Sequence, residues 1–183
     1  MNTGQMLITI AALVLLGMVI MRVNTGFLNT GTTIMETKFN IMAISLGTSL
    51  IEEANTKAFD EATDANSIST TTPLTDYNAL GPESGETYPN YDDFDDYNNY
   101  TRLISARPIS PIPSGVETVV VDSTFRSADY RLECQVDYVT ISGSQIASTT
   151  SKTWNKRLRV TITSPSMRDT VRLQTIFSYW YFR

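Results

Sequence analysis

Four aspartates crowd into five residues of the segment YDDFDDYNNY, which covers residues 91–100. They are Asp92, Asp93, Asp95 and Asp96. Carboxylate oxygens are the ligands that hard cations prefer, and Ca²⁺ takes roughly six to eight of them. The segment lacks the glycine and the terminal glutamate of an EF-hand loop. Two interpretations therefore stay open: a Ca²⁺ site, or a solvated acidic loop that is held in place by Tyr91, Phe94 and Tyr97.

The other residue types offer little catalytic chemistry. The 183 residues contain no His, which is the commonest general base and metal ligand. Cys134 is the one cysteine, so neither an intramolecular disulfide nor a Cys-based zinc site can form. No CxxCH motif for haem attachment is present. We expect Cys134 to be a small buried hydrophobe, the chain not to be an enzyme, and Ca²⁺ to be its one candidate cofactor.

The charge of the chain narrows the classes of partner. A formal net charge of -5, without any Lys/Arg cluster, argues against binding to nucleic acid. The sequon Asn99-Tyr100-Thr101 makes Asn99 a candidate glycosylation site.

The N-terminal apolar segment, residues 6–21 with the sequence MLITIAALVLLGMVIM, carries no charge. It is shorter than the about 20 residues of a typical membrane span. A signal peptide is disfavoured, because residues 1–5 lack a basic residue and no small-residue cleavage site follows. Lipid or copies of the same segment could cover this surface. The candidate assembly residues are Met6, Leu7, Ile8, Ile10, Leu13, Val14, Leu15, Leu16, Met18, Val19, Ile20 and Met21.

A single long helix is predicted over residues 1–62, because apolar residues continue at steps of three and four after the apolar segment. The predicted face is Met35, Phe39, Met42, Leu46, Leu50, Ala54 and Ala58. Residues 24–32 contain Gly, Asn and Thr, which are poor helix formers. We expect the helix to be weakened there by a kink or a melted stretch, with a continuous but weak helix as the alternative.

The rest of the chain predicts a polar loop and then a sheet. Residues 63–115 form a helix-to-sheet loop that contains the acidic-aromatic segment, and residues 116–183 form four antiparallel strands. The clearest strand places Tyr130, Leu132, Cys134, Val136 and Tyr138 on one face. The one apolar face of this sheet needs a cover, and the amphipathic half of the long helix supplies it. The predicted fold is α+β.

An apolar N-terminal helix, its amphipathic continuation on an antiparallel sheet and a loop between them resemble the layout of type IV pilins and pseudopilins. The run KRLRVTITSPSMRDTVRLQTIFSYW is similar to the last strands of pilin-like proteins, and YDDFDDYNNY to an element of certain minor pilins. The resemblance implies a non-enzymatic, extracytoplasmic subunit that is anchored in the inner membrane before assembly. It further implies a helical homopolymer and contact with pilus or secretion assembly machinery. The family carries a Glu at the fifth mature position and a short basic leader, whereas residues 1–5 contain no Lys or Arg. If Met1 is the first mature residue, Gln5 stands at the fifth position, and if a leader ends at Gly4, Thr9 stands there.

The expected function is therefore a structural subunit of an extracellular pilin-like filament. The alternative is a minor pseudopilin or a single-span, membrane-anchored assembly factor of a secretion system. The aromatic ending, residues 177–183, is expected to serve core and inter-subunit packing.

Overall fold

A computed structural model describes residues 2–105, 111, 115–120 and 128–179. The chain divides into two compact units, Met1–Phe39 and Asn40–Arg183. The fold is α+β, with a long N-terminal helix and a mixed sheet of six strands in the described part of the chain. The predicted class is confirmed, but the sheet is larger than the four antiparallel strands that the sequence predicted.

Helix α1 runs from Thr3–Asn55 without a break, so residues 24–32 are helical rather than melted. The threonines of this stretch satisfy their hydroxyls inside the helix. Thr25 Oγ1 donates to Met21 O and Thr30 Oγ1 donates to Gly26 O, both at 2.9 Å. These threonine hydroxyls therefore have hydrogen-bond partners without any break in the helix. Whether the stretch is weaker than the rest of α1 stays a prediction.

The chain leaves α1 earlier than residue 62, and a short helix α2, Glu61–Asp64, follows. Asp60 ends the connection in an extended conformation and caps α2, because its Oδ1 accepts from the Ala62 backbone N–H at 3.2 Å. An N-cap of this type starts a new helix in a new direction.

The sheet has the strand order β2-β1-β3-β5-β6, with β4 paired to β3. Strands β1 and β2 are parallel, and the other pairs are antiparallel. Two strands lie where none was predicted: β1 inside the expected loop and β4 inside an expected turn. Strand β2 pairs with β1 and not with β3. The strands are β1 Thr101–Ser105, β2 Glu117–Val120, β3 Tyr130–Ser142, β4 Gln145–Thr149, β5 Asn155–Thr163 and β6 Val171–Ser178.

The core face of the sheet follows the period-two pattern of β3 and β5. All five predicted inward side chains of β3 are buried, from Tyr130 to Tyr138. Val136 pairs with Leu158 and Cys134 pairs with Val160 in the β3–β5 ladder, and all four are buried. A register shift of one residue would turn this whole set outward, so the apolar pattern fixes the pairing.

Within the second unit, the last part of α1 covers this sheet through small side chains. The buried α1 residues are Ala43, Gly47, Leu50 and Ala54, whereas Met42 of the predicted face is exposed. A Cβ at Gly47 would lie 2.7 Å from Leu173 Cδ1 and 2.8 Å from Ile162 Cδ1. Helix and sheet therefore approach so closely at Gly47 that even the Cβ of Ala would displace these two methyl groups.

We expect Gly47→Leu to lower the free energy of unfolding of the second unit by about 1–3 kcal/mol, because it overpacks this contact. The change is measured by urea denaturation of the full chain in detergent, with tryptophan fluorescence as the signal. Gly31→Leu is the matched control, since nothing lies within 4 Å of a Cβ at Gly31. Equal transitions for the two variants would contradict the close packing at Gly47.

Candidate functional site

The acidic-aromatic segment is anchored to the chain just after α1. Ala58 forms an isolated parallel β-bridge with Asp93, in which Phe94 N donates to Ala58 O at 2.9 Å. Phe94 is fully buried with its ring 5.2 Å from that of Phe177, and Tyr97 Oη donates to Glu53 Oε1 of α1 at 2.9 Å. Tyr91 is buried as well. The three aromatic side chains that the sequence singled out therefore hold the segment in place.

The four aspartates separate into two groups. Asp95 Oδ1 accepts a hydrogen bond from Lys156 Nζ of β5. Lys156 Nζ also donates to Asp60 Oδ2 at 2.7 Å and to Phe59 O at 2.8 Å. Lys156, Asp60 and Asp95 are fully buried. Asp95 is therefore one partner of a buried ion pair. Among the described residues it does not belong to the close carboxylate groups that contain the other three aspartates, and its role as a metal ligand stays a prediction.

The buried lysine was visible in the sequence pattern. Lys156 stands between Trp154 and Leu158 on the inward phase of β5, where the alternation predicts an apolar residue. A cation at such a position needs buried anionic partners. The tertiary fold brings those partners from residues 60 and 95, which no local spacing relates to residue 156.

Asp92, Asp93 and Asp96 belong to the second group, together with three glutamates that the sequence analysis missed. These residues form three overlapping groups of three, which we call triads. Within each triad, the three residues contribute one carboxylate oxygen each, and these oxygens lie within 4.8 Å of one another. We call this group the carboxylate cluster. Its members are Glu61, Glu83, Glu86, Asp92, Asp93 and Asp96.

Backbone hydrogen bonds fix the two innermost aspartates of the carboxylate cluster. Asp93 Oδ1 accepts from the backbone N–H groups of Asp95 and Asp96, at 2.8 and 3.2 Å. Asp96 Oδ2 accepts from the backbone N–H groups of Asp92 and Asp93, at 3.0 and 3.1 Å. Each side chain therefore uses one oxygen to hold the loop and keeps the other free.

The free oxygens are buried and have no hydrogen-bond donor. They are Asp93 Oδ2, Asp96 Oδ1 and Glu83 Oε2. Asp93 and Asp96 are both 0% exposed, so water does not reach their side chains from the surface. A buried carboxylate oxygen without a partner costs free energy, and it requires either a proton or a cation nearby.

The electrostatics of the carboxylate cluster favour a positive partner. Burial, and then the charge of Asp95, raise the pKa of Asp93 to about 9. Burial also raises the pKa of Asp96 to about 6, and burial together with the adjacent Glu86 raises that of Glu83 to about 7. Burial, and then Glu86, raise the pKa of Asp92. The charge of Lys57 lowers the pKa of Asp92 and that of Lys156 lowers the pKa of Asp93, but in both cases the raising effects are larger.

The candidate assembly residues form a second feature, in the first unit. All twelve side chains predicted from Met6 to Met21 are exposed, with fractions between 52% and 74%. Exposed apolar side chains continue at Val23, Phe27, Leu28, Ile34 and Met35. Helix α1 is the one helix in the described residues that is long and apolar enough to cross a membrane or to act as a signal sequence.

The remaining predicted positions have simple surroundings. Cys134 is buried and its pKa is raised to about 12 by burial, as expected of a small core residue. Asn99 is exposed near the end of the acidic-aromatic segment, two residues before β1, and its glycosylation stays a prediction. Phe177 of the aromatic ending is buried, whereas residues 180–183 lie outside the described residues.

Comparisons of the chain with protein-family models, with curated proteins and with solved structures find no match. The function is therefore inferred from the geometry of the two features described above.

Proposed function

We propose that this protein is a structural subunit of an extracellular pilin-like helical filament, which polymerises through bundled N-terminal helices. The observation that carries the proposal is the exposure of every large apolar side chain from Met6 to Met21. Burial of these side chains is worth on the order of 10–20 kcal/mol before ordering costs. A surface of this size needs a lipid or protein cover.

The length of the exposed surface supports copies of the chain as the final cover. Within the first unit, exposed apolar side chains run from Met6 to Met35. At 1.5 Å per residue this is about 45 Å of helix, whereas the hydrocarbon core of a bilayer is about 30 Å thick. A membrane alone leaves part of this surface in water, and neighbouring helices in a bundle cover it over its full length.

The threonines of the same unit tolerate such burial. Thr9, Thr25, Thr30, Thr33 and Thr37 each donate a hydroxyl hydrogen bond to a carbonyl of the preceding turn. A hydroxyl that is satisfied within its own helix can leave water at little cost. The segment therefore suits both a membrane before assembly and a helix bundle afterwards.

Each subunit needs only one such helix, because a helical filament repeats one heterologous contact without closing. The pilin-like layout of the sequence, with an N-terminal helix, a loop and a sheet, agrees with this arrangement.

Shearing of the native cells tests the proposal. We expect the sheared fraction to contain filaments in negatively stained images, with this chain as their principal protein by mass spectrometry. The alternative, a minor pseudopilin or membrane-anchored assembly factor, is favoured by the suitability of α1 for a membrane span. If the chain stays in the membrane fraction and reaches filaments only in trace amounts, that alternative replaces the filament subunit.

A further inference from the structure

We infer that the carboxylate cluster is a Ca²⁺ site, which ties α2, the loop at residues 83–86 and the acidic-aromatic segment together. The inference is independent of the proposed filament, because every ligand belongs to the second unit. The ligand set differs from the four aspartates that the sequence predicted, since Asp95 leaves it and Glu61, Glu83 and Glu86 join it.

The spacing of the carboxylate oxygens fits a calcium ion. Oxygens on opposite sides of one Ca²⁺ are about 4.8 Å apart, which is twice the Ca–O distance of about 2.4 Å. The oxygens of each triad lie within that limit of one another. Three carboxylates at this distance repel one another unless protons or a cation lie between them.

The buried, unpartnered oxygens argue for a bound ion at this place. Asp93 Oδ2 and Asp96 Oδ1 belong to fully buried residues and accept no hydrogen bond. Their partner oxygens are already held by backbone N–H groups, so both side chains are fixed in one orientation before an ion arrives. An oxygen that is fixed in this way and faces other carboxylates is suited to bind a cation. An acidic side chain that only needed solvation would not have to be buried and fixed.

The composition of the cluster favours calcium over magnesium. Ca²⁺ accepts many carboxylate oxygens in an irregular arrangement, whereas Mg²⁺ keeps several waters and needs a near-octahedral shell. Here α2 supplies one carboxylate, the loop at residues 83–86 two and the acidic-aromatic segment three, and the inner two are closed off from water. Such a site supplies protein oxygens and little space for the water shell of Mg²⁺.

Thermal unfolding of the full chain in detergent tests the inference, after EGTA has removed bound metal. We expect Ca²⁺ at about 100-fold above its Kd to raise the midpoint by about 5–10 °C. Titration calorimetry then gives the affinity and the number of ions. An equal concentration of Mg²⁺ is expected to produce a much smaller shift.

Two isosteric variants locate the site. Asp96→Asn keeps a side-chain oxygen for the two backbone N–H groups but removes a charged ligand, and Glu83→Gln removes another. We expect each to weaken Ca²⁺ binding at least about tenfold, since even indirect changes around a metal cost that much. Because each variant also removes repulsion, its metal-free midpoint should not fall below that of the parent chain. Glu52→Gln, at an exposed position of α1, is the matched control and keeps the full Ca²⁺ shift.

Three results would overturn the inference. The first is a metal-free parent chain that binds no Ca²⁺ by calorimetry. The second is normal Ca²⁺ binding by both Asp96→Asn and Glu83→Gln. The third is Mg²⁺ binding as tight as that of Ca²⁺, which would exclude calcium as the specific ligand.

Discussion

We expect Lys156→Met to lower the free energy of unfolding of the second unit by about 3–5 kcal/mol, because it leaves two buried aspartates without their cation. Lys156 Nζ bonds Asp60, Asp95 and the Phe59 carbonyl, and it lies 4.7 Å from the centre of the Phe59 ring. Methionine fills the same volume but has no donor. The loss therefore reports on charge and hydrogen bonding, and not on a cavity.

The position of Lys156 explains why the effect should be large. The side chain reaches from β5 to Asp60, the residue that caps α2, and to the acidic-aromatic segment. Asp60 in turn accepts from Thr75 N at 3.0 Å and from Tyr138 Oη at 3.4 Å. One cation thus joins the sheet, the α1–α2 connection and two loops, and its removal disturbs all of them.

Urea denaturation with fluorescence detection measures the change, with Lys152→Met as the control. Lys152 forms an ion pair with Asp76 at 3.0 Å, and the Asp76 side chain is 79% exposed. Such a surface pair contributes at most about 1 kcal/mol. The triple variant Lys156→Met, Asp60→Asn, Asp95→Asn should recover part of the loss, because it removes the uncompensated charges. Equal losses for Lys156→Met and Lys152→Met would show that the buried network is not a main source of stability.

The sheet was predictable where the pattern is local. Strand β3 alternates strictly over many residues, so its buried face could be assigned from the sequence before its partners were known. Strands β1 and β4 were missed for different physical reasons. Thr101–Ser105 is a strand because it pairs with both β2 and β3, and this non-local pairing leaves no trace in five residues. Gln145–Thr149 is largely exposed and contains one large apolar side chain, Ile146, so it has no period-two signal.

The candidate cation site was predictable in part. The density of aspartates marked the acidic segment, but it could not tell which carboxylates face one another. In the 3₁₀ turn Asp95–Tyr97, the side chain of Asp95 contacts Lys156, whereas Asp93 and Asp96 lie close to the glutamates. Glu61, Glu83 and Glu86 come from two other segments, and only the tertiary fold brings them within reach. Ligands that come from separate chain segments usually cannot be grouped from one sequence, because their proximity depends on the tertiary fold.

The apolar segment was the most predictable feature, because its composition alone implies a partner. What the structure adds is the exposure of its side chains and the extension of apolar surface to Met35. These observations allow a substitution test of the proposed assembly surface in the full chain.

We expect Leu15→Glu to reduce filament recovery from sheared cells at least about tenfold. Leu15 is 63% exposed in the chain and would lie in the helix bundle of a filament. A carboxylate there is desolvated in every subunit and meets equivalent carboxylates of its neighbours, so the cost repeats along the polymer. In a bilayer the same change costs only about 3 kcal/mol on insertion scales, and the chain should still fractionate with membranes. Quantitative immunoblots of the sheared and membrane fractions separate the two effects.

Ile146→Glu is the matched control for Leu15→Glu, because Ile146 is also apolar and 40% exposed but lies on β4 of the second unit. It should leave filament recovery unchanged. Deletion of residues 1–24 completes the test, since it removes all twelve assembly side chains and should leave a chain that stays monomeric in sedimentation. If the twelve assembly side chains drive polymerisation, their removal must prevent it. Polymers formed by the truncated chain, or a Leu15→Glu chain that assembles as well as the Ile146→Glu control, would place the subunit contact elsewhere.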